Sequence, residues 1–350
     1  MKIGRTTLHE RPNGPAVDPP ALNDAALAAP DTCDPILADF ELILRATFYP
    51  QGFPVDLVTN SRDLLAAAQE SWGHFQKMFD VAPVELQLGV LPGTSDDRPG
   101  FPSCRARENM LTTIADGENF TVCDMTRGFA FGWLTEASVA DKAYTRYYFL
   151  EGTVLTLLGQ RYLTPLHAAC VNLSDRGVLL CGDSGAGKSS LSYACARRGW
   201  TFVADDSSSL VRDQAQCFVV GNPYQMRFRV AAPELFPELR SQRVRPRATG
   251  DMAIEVATAT LPDLATALTS PVDYIVFLNR KSPGSPRLDP LAHDAAREWF
   301  AQVICYGEKA VREAQIASLD QLLSRPIYEL RYRDLDYAVN RLEALVRNGE

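Results

Sequence analysis

Residues 177–206 read GVLLCGDSGAGKSSLSYACARRGWTFVADD, and their reading decides the fold. Val178, Leu179, Leu180 and Cys181 form a short apolar run without helical period, the pattern of a buried strand. Gly182 to Ser189 follows with the spacing Gly, four residues, Gly, Lys, Ser, which is that of a phosphate-binding loop. A helix is expected from Ser189 to about Arg198, with Gly199 placed to end it. Glycines let backbone N–H groups curl around phosphate oxygens, and the start of the helix adds partial positive charge. A nucleotide is therefore expected on Gly182, Asp183, Ser184, Gly185, Ala186, Gly187, Lys188, Ser189 and Ser190. In this pattern Lys188 reaches the β and γ phosphates and the Ser189 hydroxyl ligates Mg²⁺.

Downstream, Thr201 to Ala204 is a short strand candidate ending in Asp205-Asp206, 17 residues beyond Lys188 for the first of the pair. Two carboxylates there suit Mg²⁺ ligation and removal of a proton from an incoming hydroxyl. An acidic turn without function is the other reading, and the nearby loop weighs against it. Upstream, LHAACVNL places His167 21 residues before Lys188, at the head of a strand suited to lie beside the one entering the loop. A lone histidine is usually a core residue, but a neighbouring strand ending here meets the same phosphates.

Length and composition set the frame. A chain of 350 residues exceeds most single domains, so two are expected. Its 46% hydrophobic and 22% charged residues describe an ordinary globular protein. The formal charge of −8 argues against broad nucleic-acid binding and against attraction to anionic membranes. Only six of 35 basic residues are lysines, so Lys188 is a scarce residue in a meaningful place. Eight cysteines are scattered without a Cys-x-x-Cys pair or zinc spacing, which reads as free thiols in a reducing cytoplasm. No apolar run reaches the length of a membrane span.

Residues 1–37, rich in Pro, Ala and Asp, read as a mobile, disordered tail. Residues 38–141 read as a smaller α+β domain. Glu41 to Tyr49, Pro54 to Thr59 and Val84 to Val90 are strand candidates, and Ser61 caps a helix expected to run to Phe79. A meander is expected at Leu111 to Ala115, Phe120 to Cys123 and Phe129 to Trp133. No reactive constellation stands out in this part: His74 reads as structural, and Arg105 and Arg107 suit a solvated edge strand. Tyr144 to Tyr162 reads as a helix with an apolar stripe, opening the catalytic domain at residues 142–350.

His167-Ala168, GDSGAGKS and VADD, in this order and spacing, resemble the catalytic domain of the HPr kinase/phosphorylase family. That family transfers phosphate from a nucleotide to a protein serine, and its loop and fold are similar to those of phosphoenolpyruvate carboxykinase. The resemblance covers residues 160–280 well and the rest of the C-terminal half loosely. It implies an α/β P-loop domain, ATP and Mg²⁺ as cofactors, His167 and Lys188 at the transferred phosphate, and Ser189 on the metal. It also implies that the acidic pair supplies a metal ligand and a general base. Taking Asp206 as base and Asp205 as ligand is a choice that the sequence does not resolve.

Two departures narrow the resemblance. Ser190 follows the loop serine where the family has Glu, and no Glu-x-Arg-Gly-Leu-Gly stretch is present. GNPYQMRFRVAAPELF stands instead, with Arg227 and Arg229 alternating on a probable strand as candidate substrate contacts. The chain thus looks more like related kinases of bacterial peptide-modification clusters, including lasso-peptide precursor kinases, than like a carbon-catabolite regulator. Beyond this stretch, Arg243, Arg245 and Arg247 fall in an expected loop, and Val272 to Leu278 reads as a buried strand with Asn279-Arg280 at its end. Helices are expected at 289–306, 308–323 and 334–347, around a strand at 327–332.

The expectation is a Mg²⁺- and ATP-dependent kinase whose partners are a nucleotide and a peptide or protein bearing a serine hydroxyl. A homo-oligomer is compatible with it; nucleic acid and membrane are not expected partners. A small-molecule alcohol acceptor, and a nucleotide-binding regulatory module without transfer, are the competing readings.

Overall fold

The computed structural model describes residues 41–214, 216–302 and 307–349. The tail expected over residues 1–37 lies outside the described residues, as do Cys33, Cys305 and the end of the helix expected to reach Tyr306.

The strand leading into the loop, Arg176–Cys181, lies inside a six-stranded sheet. Its neighbours are Tyr274–Asn279, paired parallel, and Ala168–Leu173, paired antiparallel. Ile327–Arg331 continues the sheet in parallel on one side, and Thr201–Ala204 flanks Ala168–Leu173 in antiparallel on the other. Alternate residues of the lead-in strand face different cores. Val178 and Leu180 meet Leu191 and Cys195 of the helix Lys188–Arg197, together with Val339 and Leu342 of the closing helix Leu335–Asn348. Leu179 and Cys181 meet Phe300 of the helix His293–Ala301 and Leu319 and Leu322 of the helix Lys309–Leu323. A strand covered on both faces loses the apolar/polar alternation, which is why VLLC reads as an unbroken apolar run. Each fully buried Val, Leu or Phe among them contributes about 1.5–3 kcal/mol.

The polarity of these strands positions the site. Cys181, Ala204, Asn279 and Arg331 end parallel-running strands at one edge of the sheet, and Ala168 begins the antiparallel strand at that same edge. The phosphate loop, the acidic pair, Arg280, Tyr332 and His167 therefore converge there, where open α/β sheets bind ligands. At the opposite end, Gly177 presses so closely on the Pro271 carbonyl that no side chain fits, and its N–H donates to Asp273 Oδ2 at 2.9 Å.

The N-terminal half forms a seven-stranded mixed sheet. Val55–Thr59 and Val84–Leu91 pair in parallel around the helix Arg62–Trp72. The expected meander is present as Met110–Ile114, Phe120–Asp124 and Phe129–Thr135, with Ser103–Arg107 as an exposed edge strand carrying Arg105 and Arg107. The helix expected to reach Phe79 stops at Trp72. Past Gly73 the chain turns back, and the N–H groups of Met78 and Phe79 both donate to the Gly52 carbonyl, at 2.9 and 3.1 Å. Phe75 remains buried although it is not helical. The helical segment Lys142–Arg161, which includes a wider turn at Arg146–Glu151, packs Phe149, Leu150, Val154 and Leu158 into the core of this sheet.

A three-stranded sheet, Gln225–Phe228, Met252–Ala257 and Val244–Pro246, packs on the loop helix through Tyr193, Phe228, Phe236 and Ile254. Val244–Pro246 replaces the loop expected around Arg245. Proline is tolerated there because the strand is at the sheet's edge.

Candidate active site

The loop helix begins at Lys188, and Gly187 caps it in the left-handed region at φ 103° without a side-chain hydrogen bond. A Cβ at Gly187 would lie 2.6 Å from the Tyr332 hydroxyl, so this position requires glycine on both grounds. The first N–H groups of a helix lack intrahelical partners. No side chain caps this terminus, and Lys188, Ser189 and Ser190 line a common cleft, the arrangement in which helix starts accept phosphates.

Lys188 is 5% exposed although its head is charged. Its ammonium donates to the Gly182 carbonyl at 2.6 Å and lies 3.1 Å from His167 Nε2 and 3.3 Å from Asp206 Oδ1. His167 Nδ1 is 3.5 Å from the same Asp206 oxygen. The three side chains come from the loop helix, the head of Ala168–Leu173 and the end of Thr201–Ala204, and close a triangle. A register shift between Phe202 and Ala204 aims the acidic pair, a usual consequence of a bulge.

Asp205 points elsewhere than Asp206. Its Oδ2 accepts the backbone N–H of Arg227 at 2.6 Å and so ties the three-stranded sheet to the acidic turn. The Arg227 guanidinium is ion-paired with the nearly buried Glu255 at 3.0 Å. Arg229 is exposed and reaches the phosphate loop, with one guanidinium nitrogen 3.4 Å from Ser184 Oγ. A cleft of about 910 Å³ joins these groups. It is lined by His167, the loop from Asp183 to Ser190 except Ala186, both aspartates, Arg227, Arg229, Arg247, Arg280 and Trp299. Its volume is that of a small-ligand site of the larger kind. A second cavity of about 50 Å³ backs the acidic pair and is lined from the N-terminal half by Gln51, Trp72 and Glu151.

The donor set fits the groups expected to bind. The glycine cradle and the lysine suit a nucleotide's phosphates. A hydroxyl and a carboxylate, from Ser189 and Asp205, are the hard oxygen ligands that Mg²⁺ takes. Among the described residues no cysteine lines this cleft. Burial pushes the thiols of Cys123 and Cys170 up to about 12 and that of Cys217 to about 11, and a thiol rather than a thiolate is unreactive. Among the described residues, no helix is long and apolar enough to cross a membrane.

All the sequence-predicted residues except Gly182 and Ala186 line this one cleft, but Arg280, which also lines it, and Tyr332, which holds the loop from behind, were not assigned to the site from the sequence. Tyr332 donates from its hydroxyl to the Ala186 carbonyl at 3.3 Å, and burial pushes its phenol well above the usual range. The dipeptide Asn279-Arg280 at a strand end was the only available signal.

Comparison with known proteins gives two findings. The family model of the HPr Serine kinase C-terminal domain matches residues 161–230, the segment holding His167, the phosphate loop, the acidic pair and Arg227. Among solved structures, the Hpr(Ser) kinase/phosphatase from Coxiella burnetii is similar at 16% identity, covering 53% of this chain and 89% of that one with a TM-score of 0.32. No curated protein matches the chain.

Proposed function

We propose that this chain, whose residues 161–230 are of the HPr serine kinase type, is an ATP- and Mg²⁺-dependent kinase acting on the serine hydroxyl of a peptide or protein. The observation that carries the reading is the triangle of His167, Lys188 and Asp206, closed within 3.5 Å at the mouth of the uncapped glycine loop. A pure nucleotide sensor needs the loop alone.

Each residue then has a distinct task. Lys188 exchanges the Gly182 carbonyl and Asp206 for the β and γ phosphates, as a lysine at this loop position does. Asp206, released from that contact, accepts the proton of the incoming hydroxyl. His167 holds the Asp206 carboxylate in place and borders the transferred group. Ser189 and Asp205 would hold Mg²⁺, which neutralises charge on the phosphates when bound. Arg227, tied to the acidic turn, stands on the acceptor side of the cleft, and Arg229, which reaches the phosphate loop, borders both donor and acceptor. We take residues 38–141 as a separate α+β unit and residues 142–350 as the catalytic unit, with the helical segment Lys142–Arg161 lying between them. The buried free thiols support a reducing cytoplasm as the compartment.

Incubation with γ-labelled ATP, Mg²⁺, serine-bearing peptides and small alcohols tests the reading. Label on peptide serine, lost in Asp206→Asn, is the expected result. Label on small alcohols alone would reassign the acceptor. ATP binding without label on any acceptor would leave a nucleotide-binding module and overturn the kinase reading.

A further inference from the structure

Arg280 directly follows the strand Tyr274–Asn279. That strand runs parallel to the lead-in strand with Cys181 beside Phe277, so both chains emerge at the same sheet edge. The Asn279 side chain fixes the turn that carries Arg280, donating to Ser282 Oγ at 2.8 Å and accepting the Ser282 N–H at 3.0 Å. The guanidinium lies over the Tyr332 ring at 5.6 Å, and the Tyr332 hydroxyl is anchored on the loop at Ala186. A Cβ at Gly187 would be 3.2 Å from Arg280 Cδ and 3.5 Å from its Nη1. Two residues earlier in the loop, a Cβ at Gly185 would be 2.9 Å from Arg229 Nη2. The two arginines thus flank the loop, one on Gly185 and one on Gly187, and both line the cleft.

The carboxylates of the next two strands in the sheet are occupied elsewhere. Glu329 takes Arg331 and Asn279, and Asp289 takes Arg287. Among the described residues Arg280 makes no ion pair, although it is held by a turn and an aromatic face beside a site built for anions. A planar guanidinium suits bidentate contact with phosphate oxygens.

We propose that Arg280 is a donor-binding residue that grips the phosphate chain of the nucleotide across the loop from Arg229, completing a two-guanidinium clamp. This inference rests on the nucleotide reading of the loop. An arginine merely resting on an aromatic ring would be indifferent to phosphate.

Calorimetric titration separates the cases, using ATP with Mg²⁺, inorganic tripolyphosphate with Mg²⁺, and adenosine. In Arg280→Gln, affinity for the first two is expected to fall at least about tenfold, since a charged phosphate contact is lost, while any adenosine binding stays at the wild-type level. Arg280→Lys keeps the charge without the fork and is expected to lie between Arg280→Gln and wild type, and Arg287→Gln serves as an exposed control that changes nothing. The clamp is overturned if Arg280→Gln binds both phosphates as wild type does while Lys188→Ala loses them, a result that leaves the nucleotide site standing. A fall in adenosine affinity alongside the phosphates would also overturn it, as a general loss of the site. If wild type binds neither phosphate compound, the nucleotide reading fails and takes the clamp with it. Should Arg280→Gln not fold, Arg280→Lys decides, wild-type affinity overturning the clamp and a clear loss supporting it.

Discussion

The helices that follow the buried strands Val55–Thr59 and Arg176–Cys181 begin in opposite ways. After Val55–Thr59, two residues intervene and the helix Arg62–Trp72 starts with Ser61 as cap, its hydroxyl accepting the Leu64 N–H at 3.3 Å. Thr59 Oγ1 in turn accepts the Ser61 N–H at 3.2 Å. After Arg176–Cys181, six residues of glycine-rich loop intervene, and the helix Lys188–Arg197 starts with no side-chain cap at all. The first arrangement closes its helix start with a side chain of its own. The second leaves donors open and surrounds them with Lys188, Arg229 and Arg280. Whether a helix start is structural or functional is thus decided by who supplies the acceptor.

The contrast can be broken at several points. The largest effect is expected from Asp206→Asn, which removes the base while keeping the shape. Transfer should slow by about 10²–10⁴-fold, roughly 3–5 kcal/mol of barrier, with ATP affinity nearly unchanged in a parallel titration. Lys188→Ala should weaken ATP·Mg²⁺ binding by about 10–100-fold, the value of a charged hydrogen bond, and calorimetry would show unchanged affinity if the loop is not the nucleotide site. Asp205→Asn retains an acceptor for the Arg227 N–H, so the fold should hold while the Mg²⁺ concentration for half-maximal transfer rises. If that shift instead accompanies Asp206→Asn, the two roles are exchanged. The smallest effect sharpens the other side of the comparison. Ser61→Ala should cost about 1 kcal/mol in denaturant unfolding without altering ATP affinity, and a change in affinity would mean that the two helix starts are not independent.

What the sequence discloses follows from how local the cause is. The loop, its helix and the acidic pair are contiguous because phosphate binding needs neighbouring backbone groups, and they were readable as such. His167 was readable because its strand is adjacent to the lead-in strand in both sequence and space. Arg280 and Tyr332 reach the loop only through the parallel pairing of strands that begin at Arg176, Tyr274 and Ile327, and no local pattern announces such pairing. The same holds for the strands Ser208–Val211, Phe218–Val220 and Met252–Ala257, each of which has one partner close in sequence and a second one far along the chain. The overlong helix after Ser61 has a different cause. Trp72, Phe75 and Phe79 keep helical spacing, yet the Gly52 carbonyl captures the chain beyond Gly73 and offers these aromatic residues the same core by another path.

The strand that carries the phosphate loop is apolar on both faces, and that has a mechanical consequence. A one-residue slip in such a strand exchanges one set of buried side chains for another and exposes none, so its pattern is a ruler without markings. Gly177 supplies the missing mark. Only a residue without a side chain fits against the Pro271 carbonyl, and its N–H is claimed by Asp273. The height at which Gly182 leaves the sheet is therefore gauged from the far end of the strand, roughly 13–17 Å away at about 3.3 Å per residue.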